Sequence, residues 1–157
     1  MSVYKTNVMR ILDKLKIKYN QYSYVGTGAI SGVEVADALG EDPNCVFKTL
    51  VTVAKSKNYY VFMIPVAEEL ELKKAAHCVG EKSVEMLKLK DLLPLTGYVH
   101  GGCSPIGMKK IFKTVVDIKA TELESVIFSA GKIGFQVELS INDLTMAVDC
   151  NFADITV

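Results

Sequence analysis

Apolar positions recur with a helical period in "TNVMRILDKLKI", where Val8, Ile11, Leu12 and Leu15 fall on one face and Thr6 or Asn7 is available as a cap. "KYNQYSYV" reads as extended. "SGVEVADALG" predicts a helix opened by a capping box, Ser31 with Glu34, and closed by Gly40. "EDPN" predicts a helical restart, with Asp42 as cap and Pro43 at the first helical position.

Two runs rich in β-branched and aromatic residues follow, Phe47–Ala54 and Tyr59–Ile64, joined by the polar turn "KSKN". "ELELKKAAHCVG" predicts a helix closed by Gly80, and "KLKDLLPLTG" a short one ended by Pro94. Strands are expected at Gly97–His100, Thr114–Ile118, Ser125–Ser129 and Phe135–Leu139, with "SAGKIG" turning between the last two. "SINDLTMAV" gives a final helix capped by Ser140 with Asp143, and "FADITV" a closing strand. Consecutive strand pairs without regular βαβ alternation imply an α+β fold, a mixed, mostly antiparallel sheet flanked by helices. We read residues 1–157 as one domain, a common size for a single core.

Composition narrows the class. Half of the residues are hydrophobic and mean hydropathy is +0.25, which excludes disorder. No apolar run approaches the ~20 residues of a membrane span, and "MSVYKTNVMR" is too polar for a signal peptide. A cytoplasmic protein is the expectation. Eighteen basic and 18 acidic residues cancel, unlike the excess expected of a protein that coats long nucleic acid, and no DNA partner is expected. Arg10 is the only arginine, so bidentate anion clamps are scarce. Cys45, Cys78, Cys103 and Cys150 are scattered without metal spacing and read as reduced thiols; no metal is expected. Neither GxxxxGK[ST] nor GxGxxG occurs, so no nucleotide cofactor is expected either.

One charge is out of place. Lys48 stands near the start of "VFKTLVTVA", a run that otherwise wants burial. A lysine there can snorkel, its stem covering apolar neighbours; it can equally aim a point charge at a carbonyl or phosphate on a pocket wall. "GGCSPIG" concentrates three glycines and a proline in seven residues, where successive amides can make a concave anion site or simply a tight connection. His77 and His100 have no legible nucleophile and acid beside them, so a triad is not supported.

These pieces together resemble one family. "VFKTL", "TGYV" followed by the GG, SP and G of "GGCSPIG", the "SAGKIG" turn, "ADALGEDP" and "LKKAA" occur in the order and spacing of the YbaK/EbsC family, from about Lys5 to Ile155. Its members are aminoacyl-tRNA deacylases related to the editing domain of bacterial prolyl-tRNA synthetase. The resemblance implies a mixed β-barrel or strongly twisted sheet surrounded by helices. It implies removal of cysteine from mischarged Cys-tRNA(Pro), with Cys-tRNA(Cys) as a further substrate. Alternatives are Ala-tRNA(Pro) or another small amino acid, or a silent module that binds a tRNA end or a synthetase.

The partners implied are the acceptor end of mischarged tRNA and, transiently, prolyl-tRNA synthetase. Residue by residue, the resemblance places the family's lysine at Lys48 and its GxxxP loop at Gly101–Pro105. Lys48, Gly101 and Gly102 become the catalytic set: the resemblance implies that the Lys48 ammonium holds the terminal adenosine and the aminoacyl ester at the pocket mouth, while the loop's backbone amides face the substrate carbonyl or its terminal ribose. Tyr24, Phe47, Thr49, Cys103, Ser104, Pro105, Ser129 and Gly131 become the substrate-binding set. The chain departs from the family at Cys103, where relatives carry isoleucine, and at Ala130 and Ile133, where they carry glycine and arginine. The lost arginine weakens the expected hold on tRNA at that turn, where Lys132 remains. The implied mechanism is substrate-assisted: the cysteine thiol of the substrate attacks its own ester.

Overall fold

The computed structural model describes residues 4–157. Residues 1–3, on which part of the signal-peptide reading rests, lie outside them.

The first helix, α1 (Asn7–Lys14), starts where Thr6 Oγ1 accepts from the Met9 amide at 3.2 Å. Its buried side chains are Val8, Met9 and Leu12, while Leu15 lies past the helix and is exposed. A short strand β1 (Asn20–Ser23) follows. In α2 (Gly32–Leu39) the expected capping box forms, and Gly40 ends the helix at φ 68°, a left-handed conformation open to glycine. The helical restart at "EDPN" does not form. Asp42 instead closes a single turn, its Oδ1 accepting from Asn44 N (3.0 Å) and its carbonyl from Cys45 N (2.9 Å). Val46 is then drawn into a bridge with a distant strand, so no second helical turn can propagate.

Strands β2 (Phe47–Ala54) and β3 (Tyr59–Pro65) pair antiparallel, from Phe47 opposite Pro65 to Val53 opposite Tyr59. After α3 (Leu72–Cys78) comes β4 (Val84–Met86), a three-residue strand that its charge and brevity hid from the sequence reading. Helix α4 (Leu89–Thr96) carries Pro94 inside rather than at its end. Proline removes one backbone donor near the C-terminus, and the last turn is held by Thr96 Oγ1 donating to Leu92 O (2.8 Å) and Gly97 N donating to Leu93 O (2.9 Å).

The strand expected at Gly97–His100 is absent. Tyr98 is buried with its hydroxyl on the Ile106 carbonyl, and Gly102 N donates back to Val99 O (3.0 Å), so the segment bonds to itself rather than to a neighbour. Strand β5 (Lys113–Asp117), a 3₁₀ turn (Ile118–Glu122), β6 (Ser125–Ser129), β7 (Phe135–Ser140), α5 (Ile141–Ala147) and β8 (Cys150–Ala153) complete the chain. The closing strand thus ends early, and Thr156 makes only an isolated bridge to Leu70.

Two sheets result, one ordered β1-β7-β6, the other β4-β2-β3-β5-β8, joined by the parallel bridge Val46–Ile127. Among the described residues four strand pairings are antiparallel; β3–β5 and β5–β8 are parallel. The fold is the expected mixed, mostly antiparallel α+β arrangement in its open form, since the barrel alternative does not close. Alternation along β3 shows how the larger sheet is covered: Val61 and Met63 enter a core with α1 and the smaller sheet, while Tyr60, Phe62 and Ile64 enter a second core with α3. Among the described residues no helix is long and apolar enough to cross a membrane.

Candidate active site

A cleft of about 550 Å³ opens where the two sheets part, a volume within the usual range for small-molecule sites. Its origin lies in the backbone of β2. Cys45 O accepts from Ile127 N (2.8 Å) on the side of β6, and Val51 O accepts from Leu87 N (3.0 Å) on the side of β4. Between these two points β2 has no strand partner on that side, because β4 pairs only with Thr52, Val53 and Ala54. The cleft fills this gap. It therefore touches side chains from both faces of β2: Phe47, Thr49 and Val51 from one, Lys48 and Leu50 from the other.

Among the described residues Lys48 is the only Lys, Arg, Asp or Glu lining the cleft, and it has no hydrogen bond or ion pair there. Gly101, Cys103, Phe128, Ser129, Tyr24 and Phe135 line the same cleft. Tyr24 is fixed just beyond β1 by its amide donating to Gly134 O (2.8 Å). Gly101, at φ 87°, makes the turn that brings the loop to the cleft, with Ile133 packed over it. Seven of the expected residues, Tyr24, Phe47, Lys48, Thr49, Gly101, Cys103 and Ser129, thus share one cavity.

Four do not line it. Gly102 is buried under Ile133, and its N–H, expected to face substrate, is already donated to Val99 O. Ser104 is fully buried, its hydroxyl accepting from Ile106 N (3.4 Å). Pro105 supports the same bend away from the cavity. Gly131, at φ 87°, is wedged against Val8 and Tyr98 and donates to Ser129 Oγ (3.1 Å), so it positions Ser129 from behind.

Cys103 is buried, and burial pushes its thiol up to about 12, which disfavours the thiolate. His100 lines the rim without a hydrogen-bonded nucleophile, and all four cysteines are unpaired. Among the described residues no cluster of three or more His, Cys, Asp and Glu could hold a metal ion.

Sequence reasoning missed Gln136. It is 5 % exposed and lines the cleft from β7; with its amide turned so that nitrogen rather than oxygen faces the Glu41 carboxylate, it donates there at 2.8 and 3.3 Å. Burial raises the Glu41 pKa. A polar residue in "FQVEL" at a strand position otherwise read as one face of a hairpin was the only signal available. Besides His100, exposed residues of the lining include the apolar Ile30, Val33, Met86 and Leu89.

The fold and cleft define a class: an open α+β protein whose largely apolar cavity carries one unneutralised ammonium. Comparison with known proteins narrows it. A model of the aminoacyl-tRNA editing domain matches residues 29–147. The chain is 44 % identical over 153 residues, 97 % of its own length and 93 % of the relative's, to EbsC of Enterococcus faecalis, which carries the provisional name Cys-tRNA(Pro)/Cys-tRNA(Cys) deacylase. It is 28 % identical over 102 residues to the proline–tRNA ligase of Shouchella clausii, covering 65 % of this chain and 18 % of the ligase.

Two solved structures share the fold. One, described provisionally as a trans-editing enzyme for prolyl-tRNA synthetase, superposes with TM-score 0.83 at 20 % identity, covering 98 % of this chain and 99 % of that one. The other, a hypothetical protein, has TM-score 0.88 at 21 % identity, covering 97 % and 100 %. The protein belongs to the aminoacyl-tRNA editing domain family.

Proposed function

We propose that the protein is a trans-acting aminoacyl-tRNA deacylase that removes cysteine from Cys-tRNA(Pro). Membership of the editing family and the 44 % likeness to EbsC support the reaction class. The observation that carries the mechanism is the content of the cleft: an unpaired Lys48 and, among the described residues, no Ser, Thr or Cys side chain of the lining hydrogen-bonded to a base. Such a site can orient and polarise an ester, but its own side chains are poorly equipped to attack one.

The nucleophile then comes from the substrate. A free thiol has a pKa of about 8.5, so a few per cent is thiolate at neutral pH. The cysteinyl sulfur attacks its own ester carbonyl; a C–S bond forms and the C–O bond to the terminal ribose breaks. The thiol's proton ends on the ribose oxygen, and the departing thiolactone opens in water to cysteine. Holding thiol and ester in register converts a slow encounter into a unimolecular step. Lys48 stabilises charge on the ester and on the terminal adenosine's phosphate, Ser129 and Gly101 line the same cleft, and Tyr24 and Phe135 flank the base. The reaction takes place where tRNA is charged, in the cytoplasm. A passing complex with prolyl-tRNA synthetase belongs to the same reading.

Deacylation of tRNA charged with Cys, Ala, Ser or Pro tests it. Cys-tRNA should be cleared fastest, Ser-tRNA far more slowly because a hydroxyl is a poorer nucleophile, and Pro-tRNA should survive. Preferential clearance of Ala-tRNA would replace substrate assistance with attack by water.

A further inference from the structure

The open edge of β2 has a consequence for how the aminoacyl group is held. In an antiparallel ladder the N–H and C=O of one residue point to the same side, and the side alternates along the strand. Ala54 N donates to Asn58 O and Val46 O accepts from Val66 N, so even-numbered residues of β2 face β3. Cys45 O and Val51 O are taken by Ile127 and Leu87, so odd-numbered residues face the cleft. Thr49 lies midway between the last β6 contact and the first β4 contact, and its N–H and C=O point into the cavity without a strand partner on that side. The Thr49 hydroxyl, buried beside that edge, is also without a partner among the described residues. Buried backbone groups in native proteins are almost always satisfied, and a stretch left open between two occupied ones is a place for a ligand to complete the ladder.

We propose, resting on the deacylase reading above, that the cysteinyl group docks as a one-residue extension of the sheet. Its ester carbonyl accepts from Thr49 N–H and its α-ammonium donates to Thr49 C=O. An aminoacyl ester carries a nitrogen donor and a carbonyl at the same separation as any residue in a strand, so both bonds form at once, as in a hydrogen-bonded antiparallel pair. Lys48 then stands on one face of the strand edge and Thr49 on the other, with the ester between them. The charge that develops on the carbonyl oxygen during attack meets a fixed amide, which strengthens the bond in the transition state more than in the ground state. Recognition of the amino acid thereby reads its backbone, while its side chain is left free to react.

Two measurements test this. In isotopically labelled protein, 3′-deoxy-3′-(cysteinylamino)adenosine, a non-hydrolysable mimic, should shift the Thr49 amide proton downfield and slow its exchange at least ~10-fold, leaving the ladder amide of Thr52 unchanged. Shifts at Gly101 and Ser129 without Thr49 overturn edge pairing and leave the deacylase reading standing; no shift anywhere overturns both. Replacing the Thr49 amide by an ester, which keeps the side chain and deletes only the N–H, should lower kcat about 10²-fold on Cys-tRNA(Pro) with a smaller change in KM. Thr49→Pro deletes the same N–H by mutation, and proline is tolerated on a strand edge whose N–H leaves the ladder; a folded Thr49→Pro or ester protein with wild-type kcat overturns the proposal.

Discussion

The two walls of the cleft are held by different kinds of bond. The β2 wall is part of a ladder: seven residues from Phe47 to Val53 are in register with β3, and alternation alone decides that Lys48 and Thr49 flank the same edge. The loop from Gly97 to Phe112, which brings His100, Gly101 and Cys103 to the cleft, has no ladder. It is held by Thr96, by the Tyr98 hydroxyl on Ile106 O, by Lys109 N on Thr96 O (3.0 Å), and by Gly131 pressed against Tyr98. A ladder shares its stability among many backbone bonds, so a side chain on it can be changed for chemistry alone. A loop held by a few side chains loses its shape before it loses its chemistry.

This contrast is sharpest at Lys48. Removing it by Lys48→Ala should lower the single-turnover rate by at least about 10²-fold, about 2.7 kcal/mol, with the urea midpoint unchanged, since Lys48 has no partner to lose. Near-wild-type turnover would sink the role assigned to it.

The loop wall should fail in the opposite order. A Cβ at Gly131 would stand 2.9 Å from Val8 and 3.0 Å from Tyr98, at a φ of 87° that L-residues rarely adopt. Gly131→Ala should cost about 2 kcal/mol, roughly 4–8 °C in Tm, and activity should fall in step with the shift of Ser129. A Gly131→Ala protein of wild-type stability would show that the packing behind Ser129 is loose. Tyr98→Phe leaves the buried Ile106 carbonyl without its donor and should cost about 1–2 kcal/mol. Because Tyr98 touches Gly131, the double variant should lose less than the two single losses added together; strict additivity in urea titrations would contradict a shared support.

The smallest effects concern Cys103. Its replacement by Ser or Ala should change the single-turnover rate less than about 10-fold, under ~1.4 kcal/mol, and a trapped acyl-thioester on Cys103 would reverse the mechanism. Its thiol rises from 9.0 to about 12 and the Tyr98 phenol from 10.0 to about 12 on burial. Both groups hold their protons more tightly folded than unfolded. Their contribution is fully present below about pH 9 and is lost as pH climbs towards 12. Thermal melts should therefore fall across that window, with Cys103→Ala falling less steeply; identical slopes would place the Cys103 thiol in water.

How much of this was legible follows the range of the forces involved. The caps at Ser31, Gly40 and Ser140 were readable because each is satisfied within three or four residues. So were β2 and β3, whose β-branched composition fits a surface covered on both sides. Lys48 was conspicuous as a charge in such a run. The face of α1 was read one residue off, with Met9 buried and Leu15 out, because the partner surface and not the period chooses the centre of the stripe. In the sequence Pro94 reads as an end, yet Thr96 and Gly97 carry the last turn past it. The GxxxP loop was recognised, but its division of labour was not. Only Gly101 and Cys103 reach the cavity, while Gly102, Ser104 and Pro105 build the bend that presents them.

By itself, then, the sequence determined the helices, the main strands and the one anomalous lysine, because capping, periodicity and β-branching act over a few residues. Tertiary structure decided the rest. The missing strand at Gly97–His100, the bridge from Val46 to Ile127 and the three-residue β4 are choices of partner, made by backbone donors and acceptors far apart in the chain. The cleft exists because those choices leave one stretch of β2 unpaired between two occupied ones. Which backbone groups go unpaired depends on every strand at once, and no local pattern of residues encodes it.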